Sequence, residues 1–504
     1  MANKTKPPQP QSTRRWHLSR RAWLLLAGGA LGFWLYAANA TGNPPGFYLD
    51  ESSIAYNAYS VAHSGADEHG ESWPLYFRAF GEYKNPIYIY LLALIFKITG
   101  PSILAARLLS EAAGYLAALV LGLLVARISR RYTIGLVGAL TALLTPWLFE
   151  VSRLVFEVAL YPLVLACYLY ALYRAQERER WSWIDALLLA AGLGLLTYTY
   201  SIGRVLAPLL ALGLAMFFTR RRVKGILLTW ALYAVALVPL LVFNANHPGA
   251  LSSRFYLISY IKPQTPWTEV AWKFAERYLA NLNPVRLLVT GELNIRHHIP
   301  VMGSLLLATF ILAVIGIDRI AHQHIREAWW RYLLYGLAIS LVPAALTNDD
   351  FHTLRLIALP VFLLLLTVPA LMWLWESTAR KSARRIVLIS LLALTAMQAA
   401  LFQWQFHRDG TQRGNAFEEV YPQVFETALQ TGARPLYLRD RPALPGYIHA
   451  YWYGALHGID QMQFVRLKEN TSPPPNAIVI GTAEKCVNCQ VLTKQQDYIL
   501  YRAL

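Results

Sequence analysis

The sequence predicts an all-α polytopic membrane bundle with a small α/β domain at its C-terminal end. Three observations predict it: an apolar composition, basic residues gathered beside apolar runs, and a change of pattern after residue 403. Of the 504 residues, 56% belong to the set AVILMFWYC and only 15% are charged, against about 25% charged in soluble proteins. Mean hydropathy is +0.34. A disordered chain is excluded by this much apolar surface, and a disulfide scaffold by three cysteines. Half of the 46 Lys and Arg residues sit in six clusters: Lys4 to Arg21, Arg127 to Arg131, Arg174 to Arg180, Arg220 to Lys224, Arg319 to Arg331 and Arg380 to Arg385. Such clusters mark the cytoplasmic side of a membrane. The net charge of +17 is therefore a topology signal, and no nucleic acid is expected as a partner.

Apolar runs occupy 22–40, 86–99, 103–126, 133–149, 156–174, 184–200, 204–218, 225–243, 299–317, 331–346, 354–374 and 386–403. The run 86–99 would reach only ~21 Å as a helix, short of a ~30 Å bilayer core. It opens on Asn85-Pro86, a cap with proline at the first helical position, and reads as an interfacial helix. About eleven transmembrane helices remain, and all six basic clusters then fall inside. The expected layout is a cytoplasmic basic N-terminus at 1–21, a transmembrane domain at 22–403 with outer loops 41–102 and 244–298, and an extracytoplasmic domain at 404–504. The protein is expected in the cell (inner) membrane. Ser19-Arg20-Arg21 before an apolar run imitates an export signal; an uncleaved first anchor is expected instead. In the tail, 418–430 has a helical pattern, and AIVIG (477–481) and YILYRAL (498–504) read as strands.

Charge near the outer ends of the spans is costly, so it has a partner or a job. The first loop reads GFYLDESSIAYNAYSVAHSG from Gly46. Ile54, Ala58, Val61 and Ala62 follow helical spacing, which predicts an amphipathic helix on the membrane surface. Asp50 would cap it, with Glu51 in its first turn; a cap and a base can be the same residue. Further on, Glu82, Tyr83 and Lys84 precede the interfacial helix. Lys84 either snorkels or holds an anionic group. Arg153 and Glu157, four apart, suit a local ion pair. Arg204 suits an interface anchor. Arg296, His297, His298, His352 and Arg355 lie in outer turns; a loop histidine with Glu82 would make an O/N metal site. Cys486 and Cys489 lie in the exported tail, where a disulfide is permitted, with free thiols or half a metal site as alternatives. Cys167, mid-span, reads as core.

The order of these segments resembles the glycosyltransferase-C superfamily, most closely its protein O-mannosyltransferase and lipid A aminoarabinose transferase branch. The motifs are the Asp50-Glu51 pair, Glu82-Tyr83-Lys84-Asn85-Pro86, TPWLFEVSRLVFE (145–157), YTYSIGRVLAP (198–208, with Tyr200 and Arg204), NPVRLLVTGELNIRHHIPVMG (283–303) and PAALTNDDFHTLR (343–355). The family's Gly-Asp stands here as Gly291-Glu292. The resemblance implies an inverting transfer of a sugar from a polyprenyl-phosphate donor to a glycan, lipid or protein acceptor on the outer face. It implies Asp50 as base, Glu51 as its support, and Lys84 and Arg204 as ligands of the donor phosphate. Some relatives use a divalent ion and others none, so no cofactor is assigned. A transporter of a lipid-linked sugar is the alternative, but internal repeats and broken mid-membrane spans are not evident. An inactive scaffold is disfavoured by the joint retention of Asp50, Glu51, Lys84 and Arg204.

Overall fold

A computed structural model of the chain describes residues 20–300, 302–376, 383–441, 444–468, 471–482 and 488–504. Most of the first basic cluster, part of the last, and Cys486 lie outside these residues. In chain order the helices are α1 (Arg20–Ala37), α2 (Leu49–Ser64), α3 (Pro86–Thr99), α4 (Ile103–Ser129), α5 (Tyr132–Leu144), α6 (Pro146–Ser152), α7 (Tyr161–Gln176), α8 (Trp183–Thr199), α9 (Gly203–Gly213), α10 (Val223–Asn246), α11 (Ser253–Ile258), α12 (Trp267–Ala280), α13 (Leu307–Arg319), α14 (Ala328–Ser340), α15 (Val342–Ala345), α16 (Ala358–Leu366), α17 (Val368–Trp375), α18 (Ala383–Asp409), α19 (Tyr421–Gln430) and α20 (Tyr447–Leu456). A hairpin of β1 (Phe77–Ala79) and β2 (Glu82–Lys84) lies between α2 and α3.

All twelve apolar runs contain helix, and local chemistry sets their ends. Pro86 occupies the first turn of α3, which stops at Gly100 with φ +72°. Ser102 caps α4 by accepting the Ala105 N–H. Pro146 breaks the run 133–149 into α5 and α6, bent by 59°. Gly122 of α4 faces Ala139 of α5 so closely that an added Cβ would lie 2.4 Å from it; small residues let these two helices touch.

Five helical stretches are long and apolar enough to cross a membrane: Ile103–Ser129, Glu157–Gln176, Val223–Asn246, Ala358–Trp375 and Ala383–Phe417; the bent α5–α6 pair makes a sixth. Of the other five expected spans, α8, α9, α13 and α14 are shorter helices and α1 has 18 residues; among the described residues, length and composition alone support fewer than eleven crossings. The run 299–317 differs most: helix begins only at Leu307. The preceding backbone is committed elsewhere, with Ile299 N–H on Glu150, Ser304 C=O on Trp147 and Leu305 N–H on Leu287.

The basic clusters meet at one end of the bundle. Arg127 pairs with Glu177, Arg222 donates to the Gln176 carbonyl, Tyr173 packs on Trp329, and Arg319 and Arg384 both lie over Trp373. Arg107, near the start of α4, instead holds Glu51 of the first loop. The 27 residues of α4 make these ends ~40 Å apart.

The tail builds a five-stranded sheet from β3 (Leu436–Arg439), β4 (Phe464–Arg466), β5 (Ile478–Thr482), β6 (Cys489–Gln495) and β7 (Tyr498–Ala503) in the order β4-β3-β5-β7-β6. The β3–β4 and β3–β5 pairs are parallel, and β5–β7 and β6–β7 are antiparallel. Helix α19 and strands β5 and β7 fall on the predicted segments; α20 was not predicted. It is buried all round, with Trp452 stacked on Phe47 and on Phe96 of α3, and Tyr451 on Tyr56 of α2. One hydrophobic core thus runs through the first loop and the tail.

That packing corrects the reading of α2 as an amphipathic surface helix. Ile54, Ala58 and Val61 are buried as expected, but so are Ser52, Ser53 and Asn57 on the other faces. Asn57 accepts the Glu68 N–H at 3.0 Å. Cys167 is likewise not core: it lies exposed on α7.

Candidate functional site

The N-terminal turn of α2 sends its two carboxylates in different directions. Tyr48, not Asp50, is the N-cap residue, which corrects the capping role expected for Asp50. Glu51, three residues on, accepts the Tyr48 N–H at 3.2 Å, the Val155 N–H at 2.9 Å and Arg107 Nη2 at 2.8 Å. Every oxygen of this fully buried carboxylate is used. Burial raises the Glu51 pKa more than Arg107 and these donors lower it.

Asp50 turns instead to Lys84. The hairpin turn Phe80-Gly81 has φ +54° and +80°, the conformation of a tight two-residue hairpin. It delivers Lys84 over the rings of Phe80 and Phe156. Lys84 Nζ donates to Asp50 Oδ1 at 2.6 Å, with the lysine side chain 3% exposed and the aspartate 29%. Lys84 therefore does not snorkel. Burial alone would raise the Asp50 carboxyl, but Lys84 first, then Arg296 and Arg254, hold it below its usual range.

Asn85 ties the next cation into this group. Its Oδ1 accepts Arg204 Nη2 at 3.0 Å, while its N–H and Nδ2 reach Glu157. Arg204 also donates to the Leu251 carbonyl and lies over the Tyr76 ring, its Nε unpartnered. It is a packed inner residue rather than an interface anchor. The expected Arg153–Glu157 pair does not form. Arg153 pairs with Glu111 and donates to the carbonyls of Tyr36, Ala38 and Asn39 at the end of α1, which takes it away from Glu157.

A second cluster lies where the long loop meets the 347–353 turn. Glu292 Oε1 meets His297 Nδ1 at 2.8 Å, and Oε2 accepts the N–H and hydroxyl of Thr353. His352 Nδ1 stands 3.9 Å from Glu292 and has no hydrogen-bond partner although buried. Burial works to raise the Glu292 carboxyl, but His297, His352 and Thr353 bring it down to about 2. Burial pushes His352 down. The three ligand atoms of Glu292, His297 and His352 lie within 4.8 Å of one another. This O/N/N set suits a divalent ion, the unpartnered His352 nitrogen being the atom that asks for one. Glu82, the carboxylate first considered for a metal, pairs with Arg254 at 3.1 Å instead.

His298 has a structural task. Its Nε2–H donates to the Met302 carbonyl and its Nδ1 meets Glu150 at 2.7 Å. Burial lowers its pKa, but Glu150 raises it further, so the net shift is upward. Arg296 donates to the Ala416 carbonyl and lies over the Tyr48 ring. Arg355 holds Thr347 and Asp349. Tyr83 packs outward on Phe243 and His247.

The second cluster opens on a cavity, and Arg254 connects that cavity to the first. A cavity of about 540 Å³ is bounded by Arg254, Arg286, Glu292, Asp349, His352 and Arg355. Arg254 links it to Glu82, and its charge acts on Asp50. Tyr200 lies between, within the field of Arg355, Glu157, Glu82 and Glu292. Sequence reasoning missed Arg254, which no motif marks, Arg286, which lies in the 283–303 motif but was not singled out, and Arg107. Arg107 and Glu111 did leave a signal: two charges within an apolar run read as a span.

Known proteins now bear on this geometry. Residues 83–246 match the family profile of dolichyl-phosphate-mannose-protein mannosyltransferases. No curated protein sequence matches the chain. The crystal structure of ArnT from Cupriavidus metallidurans bound to undecaprenyl phosphate is similar at a TM-score of 0.62, with 13% identity over 96% of this chain and 98% of that one. Its apo structure gives 0.60 at the same identity and coverage. At that identity the likeness shows the fold. Residues 83–246 thus resemble that mannosyltransferase family, and the chain as a whole has the fold of ArnT, a helical bundle with apolar helices that suit a multi-pass membrane protein.

Proposed function

We propose that the protein moves a sugar from a polyprenyl-phosphate carrier, with inversion, onto an acceptor at the outer face of the cell membrane. The observation that carries this reading is the Asp50–Lys84 pair at 2.6 Å. A carboxylate that can take a proton and a cation that can hold a phosphate stand together there, with Arg204 joined to the residue after Lys84. Both relatives' names support a polyprenyl phosphate: one profile names dolichyl phosphate and one structure holds undecaprenyl phosphate.

The pair suggests how the reaction is gated. In the free protein Lys84 depresses the basicity of Asp50. A donor phosphate binding Lys84 and Arg204 competes for that ammonium, and the freed carboxylate becomes the better base for an acceptor hydroxyl. Lys84 and Arg204 then stabilise the charge growing on the departing lipid phosphate. Glu51 cannot share this work, because its oxygens are filled; it fixes the turn that carries Asp50. The acceptor, a glycan, lipid or protein, enters through the cavity between Arg254 and Arg355. If a divalent ion takes part, Glu292, His297 and His352 would hold it, and it would supply positive charge near the sugar phosphate. The gathering of basic residues at one end supports a cytoplasmic placement of that end in the inner membrane, with the site and the tail on the outer side in this reading.

The test is mass spectrometry of lipids, glycoproteins and wall glycans from cells with the protein, without it, and with Asp50→Asn. A sugar lost without the protein identifies donor and acceptor together. Asp50→Asn, inserted at normal levels, is expected to lower transfer by about 10²–10⁴-fold. Near-normal transfer by that variant would remove Asp50 as the base.

A further inference from the structure

The tail domain touches the reactive turn through a buried chain of three polar side chains. Ser52 lies two residues past Asp50, and its Oγ stands 2.8 Å from Nδ1 of His449 on α20. His449 Nε2 stands 2.9 Å from Glu418 Oε2. Ser52 and His449 are completely buried and Glu418 is 8% exposed. The order Ser–His–Glu is that of an acyl-transfer triad, but a serine with no exposed surface meets no reactant, so a nucleophilic role is excluded.

The chain is built as a clamp. An ionised Glu418 only accepts, so His449 turns Nε2–H toward it and leaves Nδ1 to accept the Ser52 hydroxyl. Glu418 holds a left-handed backbone, φ +53°, which a non-glycine residue keeps only where its surroundings fix it. Neighbouring contacts act on the same turn. Phe417 packs edge-on against Tyr48, and the Ala416 carbonyl takes Arg296, which covers the Tyr48 ring. Gly46, at φ +72°, passes so near the Phe417 carbonyl that a Cβ would lie 2.3 Å away. The turn bearing Asp50 and Glu51 is thus held by Arg107 from the bundle and by residues 416–418 and 449 from the tail.

We infer that the tail domain places Asp50 for transfer through the Ser52–His449–Glu418 chain, which makes His449 a positioning residue. This inference rests on the transferase reading above. The test uses purified full-length protein with His449→Phe, Ser52→Ala and His449→Gln, read two ways. The first is hydrogen exchange of the peptide 47–56. The second is steady-state transfer from the undecaprenyl-phosphate sugar that the wild type uses. His449→Phe and Ser52→Ala are each expected to speed exchange of 47–56 by about tenfold. They should lower kcat by about tenfold, since small displacements of a reacting group cost rate, and leave the donor KM within about twofold. His449→Gln, which still reaches Glu418, is expected to fall between. Should His449→Phe fail to fold, Ser52→Ala removes one hydroxyl and little volume and carries the test alone. Unchanged exchange in 47–56 overturns the clamp, and faster exchange with unchanged kcat overturns the positioning role. A wild type that transfers no sugar overturns the transferase reading instead, while the exchange result still judges the clamp.

Discussion

Asp50 and Glu51 are neighbours in sequence with opposite circumstances. Asp50 is 29% exposed and bonded to one cation, Lys84, which a bound anion could draw away. Glu51 faces the protein, fully buried, with Arg107 and two backbone N–H groups on its oxygens. One residue of helix turns a side chain by about 100°, enough to put one carboxylate in a site and the other in a wall. The difference teaches where to look for chemistry: an exchangeable ion pair can do work, a saturated one holds shape. Repulsion between the neighbours is answered by giving each its own cation.

The wall should break first and hardest. Arg107→Met leaves Glu51 buried without its cation, which typically costs about 3–5 kcal/mol. The expected outcome is a large fall in melting temperature and in monodisperse yield, with loss of transfer following loss of fold. A variant that melts like the wild type would show that Glu51 does not depend on Arg107.

The site should break differently. Lys84→Met removes the proposed phosphate ligand but leaves Asp50 partly exposed, able to take solvent or a proton. Transfer is expected to fall by about 10²–10³-fold, while melting changes far less than in Arg107→Met. A pH profile sharpens the contrast. Lys84 lowers the Asp50 carboxyl, so without it the acid limb of the residual activity should move to higher pH. A limb that stays in place, or moves down, would mean that another group titrates there.

How much of this was legible in the sequence depends on how far apart the partners lie. Apolar runs mark helices locally and Asn85-Pro86 marks a start, so the bundle was legible in outline, although the run 133–149 was read through the break at Pro146. Asp50 and Lys84 fall in one loop, 34 residues apart; the family resemblance singled them out, while their own spacing left a cap and a snorkelling lysine open. Arg107 and Glu111 stood out only as two charges in a run rich in Leu and Ala, which marks them as needing partners but does not say that Arg107 meets Glu51, 56 residues away. The helix α20, YIHAYWYGAL, is buried on all sides and therefore has no polar face to give it a period. Its contact with α2 links residues 397 apart, and no local rule connects them. Residues 299–306 are apolar and looked helical; tertiary hydrogen bonds to Glu150 and Leu287 won over propensity.

Glu292 tests the comparison between site and wall at the cavity's far side, with the smallest expected effect. Like Glu51 it is saturated and buried, 5% exposed, but it lines the cavity, and its donors are His297 and the Thr353 backbone and hydroxyl. Its carboxyl is held at about 2, well below an ordinary glutamate near ~4.3. A depressed carboxylate gives stability that is present above its unfolded pKa and lost as pH falls through the folded one. The loss should therefore run between about pH 4.5 and pH 2, amounting to about 3 kcal/mol at most. Melting temperature in detergent from pH 6 to pH 3 should drop for the wild type more steeply than for Glu292→Gln, which carries no titrating carboxyl there. Adding zinc at pH 7 separates wall from site: melting raised in the wild type and not in Glu292→Gln would show these residues to be ligands. No change in either would leave Glu292 as the brace that joins the long loop to the Thr353 turn.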